Sequence, residues 1–213
     1  MSNTQNNGMA LASDRYGGPE RLKLVDVTAV PPRSGEIQLA IRAVSLNRSD
    51  LLAMRGEPFF LRLRNGLTRP RNTIPGSDIA GTVISVGDAV PNVAVGEAVV
   101  ADLSDLGRGG LSEYVTIPSD RAVGIPETVD FDTAASLPTA GVTAYQALET
   151  VAHLAPGERV LIDGASGGVG SFAIQIARII GAEVTAVVGP RNVAMGRSLG
   201  ASRVIDYSRE DLV

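Results

Sequence analysis

Apolar positions follow a period of two through the first part of the chain and helical spacings through the last. Residues 36–44 (EIQLAIRAV) alternate apolar and polar side chains, the pattern of a half-buried strand. Residues 79–86 predict another strand, in which Gly81 signals a bulge or a close backbone approach. Residues 96–101 and 111–117 add further strands. Turn residues fill the gaps: Pro31-Pro32, Pro75-Gly76, Gly107 and Gly109-Gly110. Short strands punctuated in this way predict a compact β-barrel over roughly residues 20–125.

From Asp132 the spacing becomes helical. Residues 134–153 predict helix, interrupted by Pro138 and Gly141 and ended before Pro156-Gly157. An alternation of strand and helix follows: strand 160–163, helix 168–180, strand 183–188, helix 192–199, strand 203–206. In the first of these helices Val169, Phe172, Ala173, Ile176 and Ile180 share one face, and Gly181 stops it. Ser208, Glu210 and Asp211 predict the cap and first turn of another helix. This β-α-β-α-β run is the first half of a doubly wound parallel sheet. The second half is not in the sequence, so a fragment of a longer protein is expected. Its first nucleotide-domain strand would be an open edge, Ile174 and Ile179 would lose packing partners, and the 213-residue chain alone is expected to be inactive.

The turn between strand 160–163 and helix 168–180 carries the chemistry. Ala165, Gly167 and Gly170 fill the positions of the G-x-G-x-x-G dinucleotide fingerprint. Small residues let the backbone approach a pyrophosphate, and the helix N-terminus offers it N–H groups and positive dipole. Ser166, Gly167, Gly168, Val169 and Gly170 are therefore candidate cofactor ligands; the plain alternative is a βαβ crossover with a glycine turn. After the second strand, NAD folds place an acid for the ribose hydroxyls. Here Val187-Val-Gly-Pro-Arg191 has none, and Arg191 is in reach of a 2′-phosphate. NADPH is the expected cofactor, unless Arg191 is simply a solvated helix-start residue.

Composition narrows the classes. The 213 residues carry a formal charge of −4 and a pI near 5.1, against a general nucleic-acid binder. No run reaches the length of a membrane span, and residues 1–18 read as a flexible polar leader without signal-peptide character. A cytoplasmic protein without stable membrane insertion is expected. There is no cysteine, hence no disulfide and no thiolate nucleophile or ligand. The single histidine, His153, sits at a helix end, where a satisfied or solvent-facing side chain is expected rather than a ligand. The domains read as 19–133 for the barrel and 134–213 for the partial nucleotide fold.

The order of barrel and nucleotide fold resembles the medium-chain dehydrogenase/reductase superfamily. The segments that carry the likeness are Ser45-Leu-Asn-Arg-Ser-Asp50, Met54-Arg-Gly56, Pro75-Gly-Ser-Asp-Ile-Ala-Gly81 and Gly110-Leu-Ser-Glu-Tyr-Val115. Leu137-Pro-Thr-Ala-Gly-Val-Thr-Ala-Tyr-Gln-Ala147, the glycine loop and Leu199-Gly-Ala-Ser-Arg-Val-Ile-Asp-Tyr207 continue it. Within the superfamily the chain looks most like the zinc-independent quinone oxidoreductase group. Residues 56–63 add a likeness to bacterial NAD(P)-dependent alcohol-dehydrogenase-like members, similar to the reticulon-4-interacting reductase. The resemblance implies a GroES-like barrel followed by a truncated Rossmann sheet, and a homodimer for the full-length protein.

The likeness also assigns roles. Zinc-dependent members have Cys at the position of Asn47 and Gly-His-Glu where Gly76-Ser77-Asp78 stands, so no zinc is expected. Without a Lewis acid, conjugated acceptors such as quinones and enones are the easier hydride acceptors. Asn47 and Asp50 are the implied catalytic residues, the first to orient substrate or contact the oxyanion, the second to hold the loop. The plain alternative is that both merely cap a turn. Related reductases often carry a Tyr just after the Asp; Leu51, Leu52 and Ala53 stand here, so solvent would deliver the proton. Tyr207 is implied as a cofactor contact, and Gly189 replaces a serine common in the group.

Residues 57–71 mix Phe59, Phe60 and Leu61 with Arg62, Arg64, Arg69 and Arg71. A substrate lid, a membrane-surface patch, a protein contact and a loop that packs its own aromatics all fit this pattern. The functional expectation is an NADPH-dependent reductase of small-molecule quinones or α,β-unsaturated carbonyls. Alcohol dehydrogenation and a non-catalytic nucleotide-binding relative remain the alternatives, with RNA binding disfavoured by the acidic balance.

Overall fold

The computed structural model describes residues 6–210. The chain divides into two compact units, residues 1–138 and 139–213.

In the first unit, β1 (Asn7–Ala12) pairs antiparallel with β2 (Lys23–Thr28). Residues 7–12 are thus a strand, not the flexible leader expected of residues 1–18. Ala10 is buried and makes a bridge to Ser112, which ties the strand down. Residues 1–5 lie outside the described residues. The main sheet comprises β3 (Glu36–Ser45), β4 (Asp78–Val86), β5 (Ala98–Asp102), β6 (Tyr114–Pro118) and β7 (Val123–Gly124). Its order is β6-β3-β4-β5-β7, antiparallel throughout. The expected barrel does not close among the described residues: β6 and β7 are the sheet's two ends. The two residues of β7 are too short a strand to extend the ladder around.

Gly81 behaves as its position in the pattern predicts. The β3–β4 register shifts between Ile41 and Ala43, and a Cβ on Gly81 would lie 2.4 Å from the Ala40 carbonyl oxygen. Ile37, Leu39, Ile79, Val83, Val99, Leu103 and Ile117 form the core on one side of the sheet. The buried amide of Gln38 is satisfied by Asn6 and by the Val30 carbonyl. A second cluster joins Ala80 to Ala134 and Ala135 of the short helix Phe131–Ala135, so β4 is buried on both faces. The strand β3 leads directly into α1 (Arg48–Arg55), which begins at Asn47.

The second unit has three parallel strands, β8 (Arg159–Ile162), β9 (Glu183–Val188) and β10 (Arg203–Asp206), in the order β10-β9-β8. The helix predicted for 134–153 is instead a series of short pieces. Two π-helical stretches, Leu137–Gly141 and Gln146–Val151, flank an α-helical turn over Val142–Tyr145. The long helix Gly168–Ile180 packs its Gly170, Ala173, Ile174 and Ala177 into the core. Phe172, Ile176 and Ile180 border this face, while Val169 is exposed, so the buried stripe is rotated from the predicted one. Ile174, expected to lose partners, is fully buried; Ile179 is exposed. Helix Val193–Ser198 connects β9 to β10. The turn after β10 is capped by Asp206, which accepts the Ser208 N–H and hydroxyl, and not by Ser208 as expected. Asp211 lies outside the described residues.

Candidate functional site

Polar chemistry gathers in two places, one in each unit. In the second unit, β8 ends at Ile162 and the chain turns through Asp163-Gly-Ala-Ser-Gly167 into the helix Gly168–Ile180. Gly167 is the N-cap residue in extended conformation, and the first N–H groups of the helix have no partner within it. Ala165 is buried and its N–H donates to the Val187 carbonyl at 3.1 Å, which fastens the turn to β9. A Cβ on Gly170 would sit 2.5 Å from the Gly164 carbonyl oxygen and 2.6 Å from Ala165 Cα. Only glycine lets the helix come this close to the loop, the role of the third glycine in the fingerprint.

Beside this turn lies a pocket of 350 Å³ lined by Asp163, Ser166, Gly189, Arg191, Asn192 and Tyr207, among others. Three of the predicted cofactor residues, Ser166, Arg191 and Tyr207, therefore share one concavity. Gly168 to Gly170 open the adjoining helix. The Asp163 carboxylate is turned onto the Gly164 N–H, 2.8 Å away. Tyr207 donates its backbone N–H to Val188, and its hydroxyl lies 2.9 Å from where a Cβ on Gly189 would be. The tyrosine ring thus takes the space that the absent side chain of residue 189 leaves. These features fit a nucleotide: N–H groups for a pyrophosphate, and a guanidinium with two hydroxyls for a further phosphate.

In the first unit the early motif forms a buried polar cluster. Asn47 caps α1 and its N–H donates to Asp50 Oδ2 at 2.8 Å. The other Asp50 oxygen accepts from Ser77 Oγ at 2.8 Å and from Arg108 Nη1 at 2.5 Å. Arg108 Nη1 also reaches Ser77 Oγ at 2.6 Å. Asn47 Nδ2 donates to Asp78 Oδ2 at 3.0 Å. Asp50, Ser77 and Asp78 are buried, whereas Asn47 is half-buried.

This arrangement separates the two residues expected to be catalytic. Both oxygens of Asp50 are occupied from within the protein, so it positions the α1 N-terminus. An amide NH₂ has two hydrogens, and Asp78 takes one of those of Asn47. Asn47 caps the helix, and it is not among the residues that line the pocket beside the cluster. Sequence reasoning missed Arg108, which closes the cluster from a loop; its glycine neighbours at 107, 109 and 110 are the local sign of an unusual turn, and Arg108 itself has φ +69°. A pocket of 410 Å³ abuts the cluster, lined by Tyr16, Asp50, Met54, Leu61, Arg71 and Arg108 among others.

His153 is exposed, with Nδ1 3.1 Å from the Glu149 carbonyl, the solvent-facing position expected of it. Among the described residues no helix is long and apolar enough to cross a membrane.

Residues 33–127 match the alcohol dehydrogenase GroES-like domain, and residues 168–213 match the zinc-binding dehydrogenase family. The chloroplast envelope quinone oxidoreductase homolog of Arabidopsis thaliana is 41% identical over 204 residues, 93% of this chain and 60% of its own. The solved quinone oxidoreductase of Coxiella burnetii matches with a TM-score of 0.86 at 36% identity, over 97% of this chain and 64% of its own. The Escherichia coli quinone oxidoreductase complexed with NADPH matches with a TM-score of 0.81 at 30% identity, over 96% of this chain and 60% of its own. The chain spans about 60% of the length of the chloroplast quinone oxidoreductase relatives it matches.

Zinc, which the second family's description implies, does not suit the residues of this cluster. Asn47 and Ser77 offer a neutral amide and a hydroxyl where zinc favours thiolate and imidazole, and the carboxylates of Asp50 and Asp78 are not joined by a third His, Cys, Asp or Glu among the described residues. The guanidinium of Arg108 already holds Ser77 and Asp50, and placing a dication beside that fixed positive charge is unfavourable.

Proposed function

Because the chain belongs to the medium-chain dehydrogenase/reductase superfamily, among its quinone-oxidoreductase-like members, we propose that it serves a zinc-independent, NADPH-dependent reductase of quinones or α,β-unsaturated carbonyls. The observation that carries this reading is the 350 Å³ pocket that unites Ser166, Arg191 and Tyr207 with no acid at the end of β9. A 2′-phosphate is held there by the Arg191 guanidinium and the Tyr207 hydroxyl. The pyrophosphate is met by the N–H groups at the start of helix Gly168–Ile180.

When bound, NADPH supplies a hydride to the electrophilic carbon of the conjugated acceptor. In the first unit, the Asn47 amide hydrogen that Asp78 does not take would be the donor to an acceptor oxygen on which negative charge develops. Asp78 holds the Asn47 side chain directly, and Asp50, itself held by Ser77 and Arg108, takes the Asn47 backbone N–H, so this donor needs little reorganisation. Leu51, Leu52 and Ala53 offer no acid, so the proton that completes the reduction comes from water. An acceptor that delocalises charge tolerates this weak electrophilic help; a saturated ketone does not.

Residues 1–213 by themselves are proposed to bind NADPH weakly and not to turn over. β8 has a strand partner on one side only among the described residues, and Leu161 on it is exposed. The test is NADPH and NADH oxidation by the full-length protein against quinones, enones and saturated aldehydes, before and after chelation. Turnover of quinones or enones with NADPH, unchanged by chelator, is expected. Stoichiometric zinc whose removal abolishes activity, or turnover of simple alcohols alone, would overturn the proposal.

A further inference from the structure

The loop after α1 lines the 410 Å³ pocket with Leu61 and Arg71, and the polar cluster leaves its outward side chains unexplained. From Pro58 to Ser77 the sequence has four arginines, Arg62, Arg64, Arg69 and Arg71, and no acidic residue, in a chain of formal charge −4. In the same stretch Phe59 and Phe60 are each 65% exposed, Leu63 74% and Leu67 56%. Loops ordinarily order themselves by packing their aromatics inward and solvating their charges. Here those four apolar side chains face solvent together with Arg69 and Arg71.

Arg62 is the side chain that turns in. Its Nε donates to the Gly56 carbonyl and its Nη2 to the Arg55 carbonyl, each at 3.0 Å. The guanidinium carbon lies 4.4 Å from the Tyr16 ring centroid and 5.3 Å from that of Phe59. Tyr16 in turn donates its hydroxyl to the Gly66 carbonyl at 2.6 Å. These contacts fix the loop against α1 without burying Phe60, Leu63 or Leu67, while Arg69 and Arg71 are also exposed. Four large apolar side chains left exposed within nine residues of one anchored loop are candidates for an interaction surface.

Charge decides what it meets. A second copy of this chain seated patch to patch would set arginine against arginine, a repulsive arrangement. Large apolar side chains interleaved with arginine suit the boundary of a lipid bilayer: the apolar tips enter between headgroups while the guanidinium groups meet phosphates. We propose that the surface formed by residues 59–71 docks reversibly on anionic lipid bilayers. The proposal is independent of the reductase reading, since it needs neither cofactor nor turnover.

The test is flotation of the full-length protein with vesicles of phosphatidylcholine alone and of equal parts phosphatidylcholine and phosphatidylglycerol. Binding to the anionic vesicles alone is expected, weakening as salt screens the arginines. The charge-reversed variant Arg69→Glu/Arg71→Glu should bind more than about tenfold more weakly. Phe60→Ser/Leu63→Ser should also lose binding, because the apolar contribution goes while the charge stays. The two variants alter different exposed side chains, and unchanged thermal unfolding certifies each. Failure to float with anionic vesicles, or full binding by both folded variants, overturns the proposal. So does concentration-dependent self-association that Phe60→Ser/Leu63→Ser abolishes, which would make the patch a contact between copies.

Discussion

Arg108 and Asp50, 58 residues apart in the chain, meet through Nη1 and Oδ1, and Ser77 bonds to both. The contact joins the α1 N-terminus to the loop after β5. It places a guanidinium among the residues that occupy the metal-ligand positions of zinc-dependent relatives. Asp50 also receives the Asn47 backbone N–H, so the same carboxylate ties the Arg108 loop to the residue that caps α1, while the Asn47 side chain is held by Asp78.

Removing Arg108 leaves a buried carboxylate with Ser77 and one N–H. Breaking a fully buried pair costs about 3–5 kcal/mol. The Arg108 side chain is 20% exposed, so some screening applies and a loss of about 2–3 kcal/mol is expected for Arg108→Ala. Asp50→Asn combined with Arg108→Ala should cost less than the two single changes added. Additive losses in denaturant titrations would show that the pair is not coupled.

Gly170→Ala should destabilise the second unit. The new methyl would be driven against the Gly164 carbonyl and Ala165 Cα, both backbone atoms that cannot swing aside. Overpacking of this kind costs about 1–3 kcal/mol. A variant with unchanged unfolding midpoint and unchanged nucleotide affinity would refute the tight helix-to-loop approach.

Nucleotide preference gives a sharper test of the second pocket. Arg191→Ala should weaken NADPH by about tenfold or more, the value of a charge-assisted contact, and leave NADH nearly unaffected. Gly189→Ala should act in the same direction by displacing the Tyr207 hydroxyl, with little cost to folding because a side-chain tip can move. Equal losses for NADPH and NADH, measured by fluorescence titration of the full-length protein, would remove Arg191 from the 2′-phosphate.

The parts of the molecule that were legible in the sequence are those governed by local rules. The helix Gly168–Ile180 and strands β9 and β10 stand where periodicity and flanking glycines put them. Gly81 was legible because a glycine inside an alternating strand signals a bulge or a close backbone approach. Periodicity misplaces the exposed Val169 and the fully buried Ile174 because Gly170, which has no side chain to count in a pattern, is what seats the helix. Strand β1 was hidden by its polar flanks, since its order comes from pairing with β2 and from Ala10. Ser166, Arg191 and Tyr207 were singled out one by one as cofactor candidates, and the fold brings them to one pocket. Arg108 was invisible, because its partner lies 58 residues away and no local pattern encodes that meeting.

Acid should unfold the chain partly through two named carboxylates. The Thr133 backbone N–H, then its hydroxyl, holds the Asp130 carboxyl below the ordinary aspartate range. The Ser208 hydroxyl, then its N–H, does the same for Asp206, with burial opposing in both cases. A carboxyl depressed in the folded state binds its proton more readily in the unfolded state. Its stabilising contribution is therefore complete above the unfolded value near ~3.9 and is lost as pH falls through the folded value. Serine at position 130 can still cap the helix Phe131–Ala135 but does not titrate in this window. Thermal unfolding followed by circular dichroism from about pH 6 down to about pH 3 should show a steeper fall of Tm for the parent than for Asp130→Ser. Other carboxylates lower both curves together, so the difference between them is the readout. Parallel curves would mean that the Asp130 cap carries no pH-dependent stability.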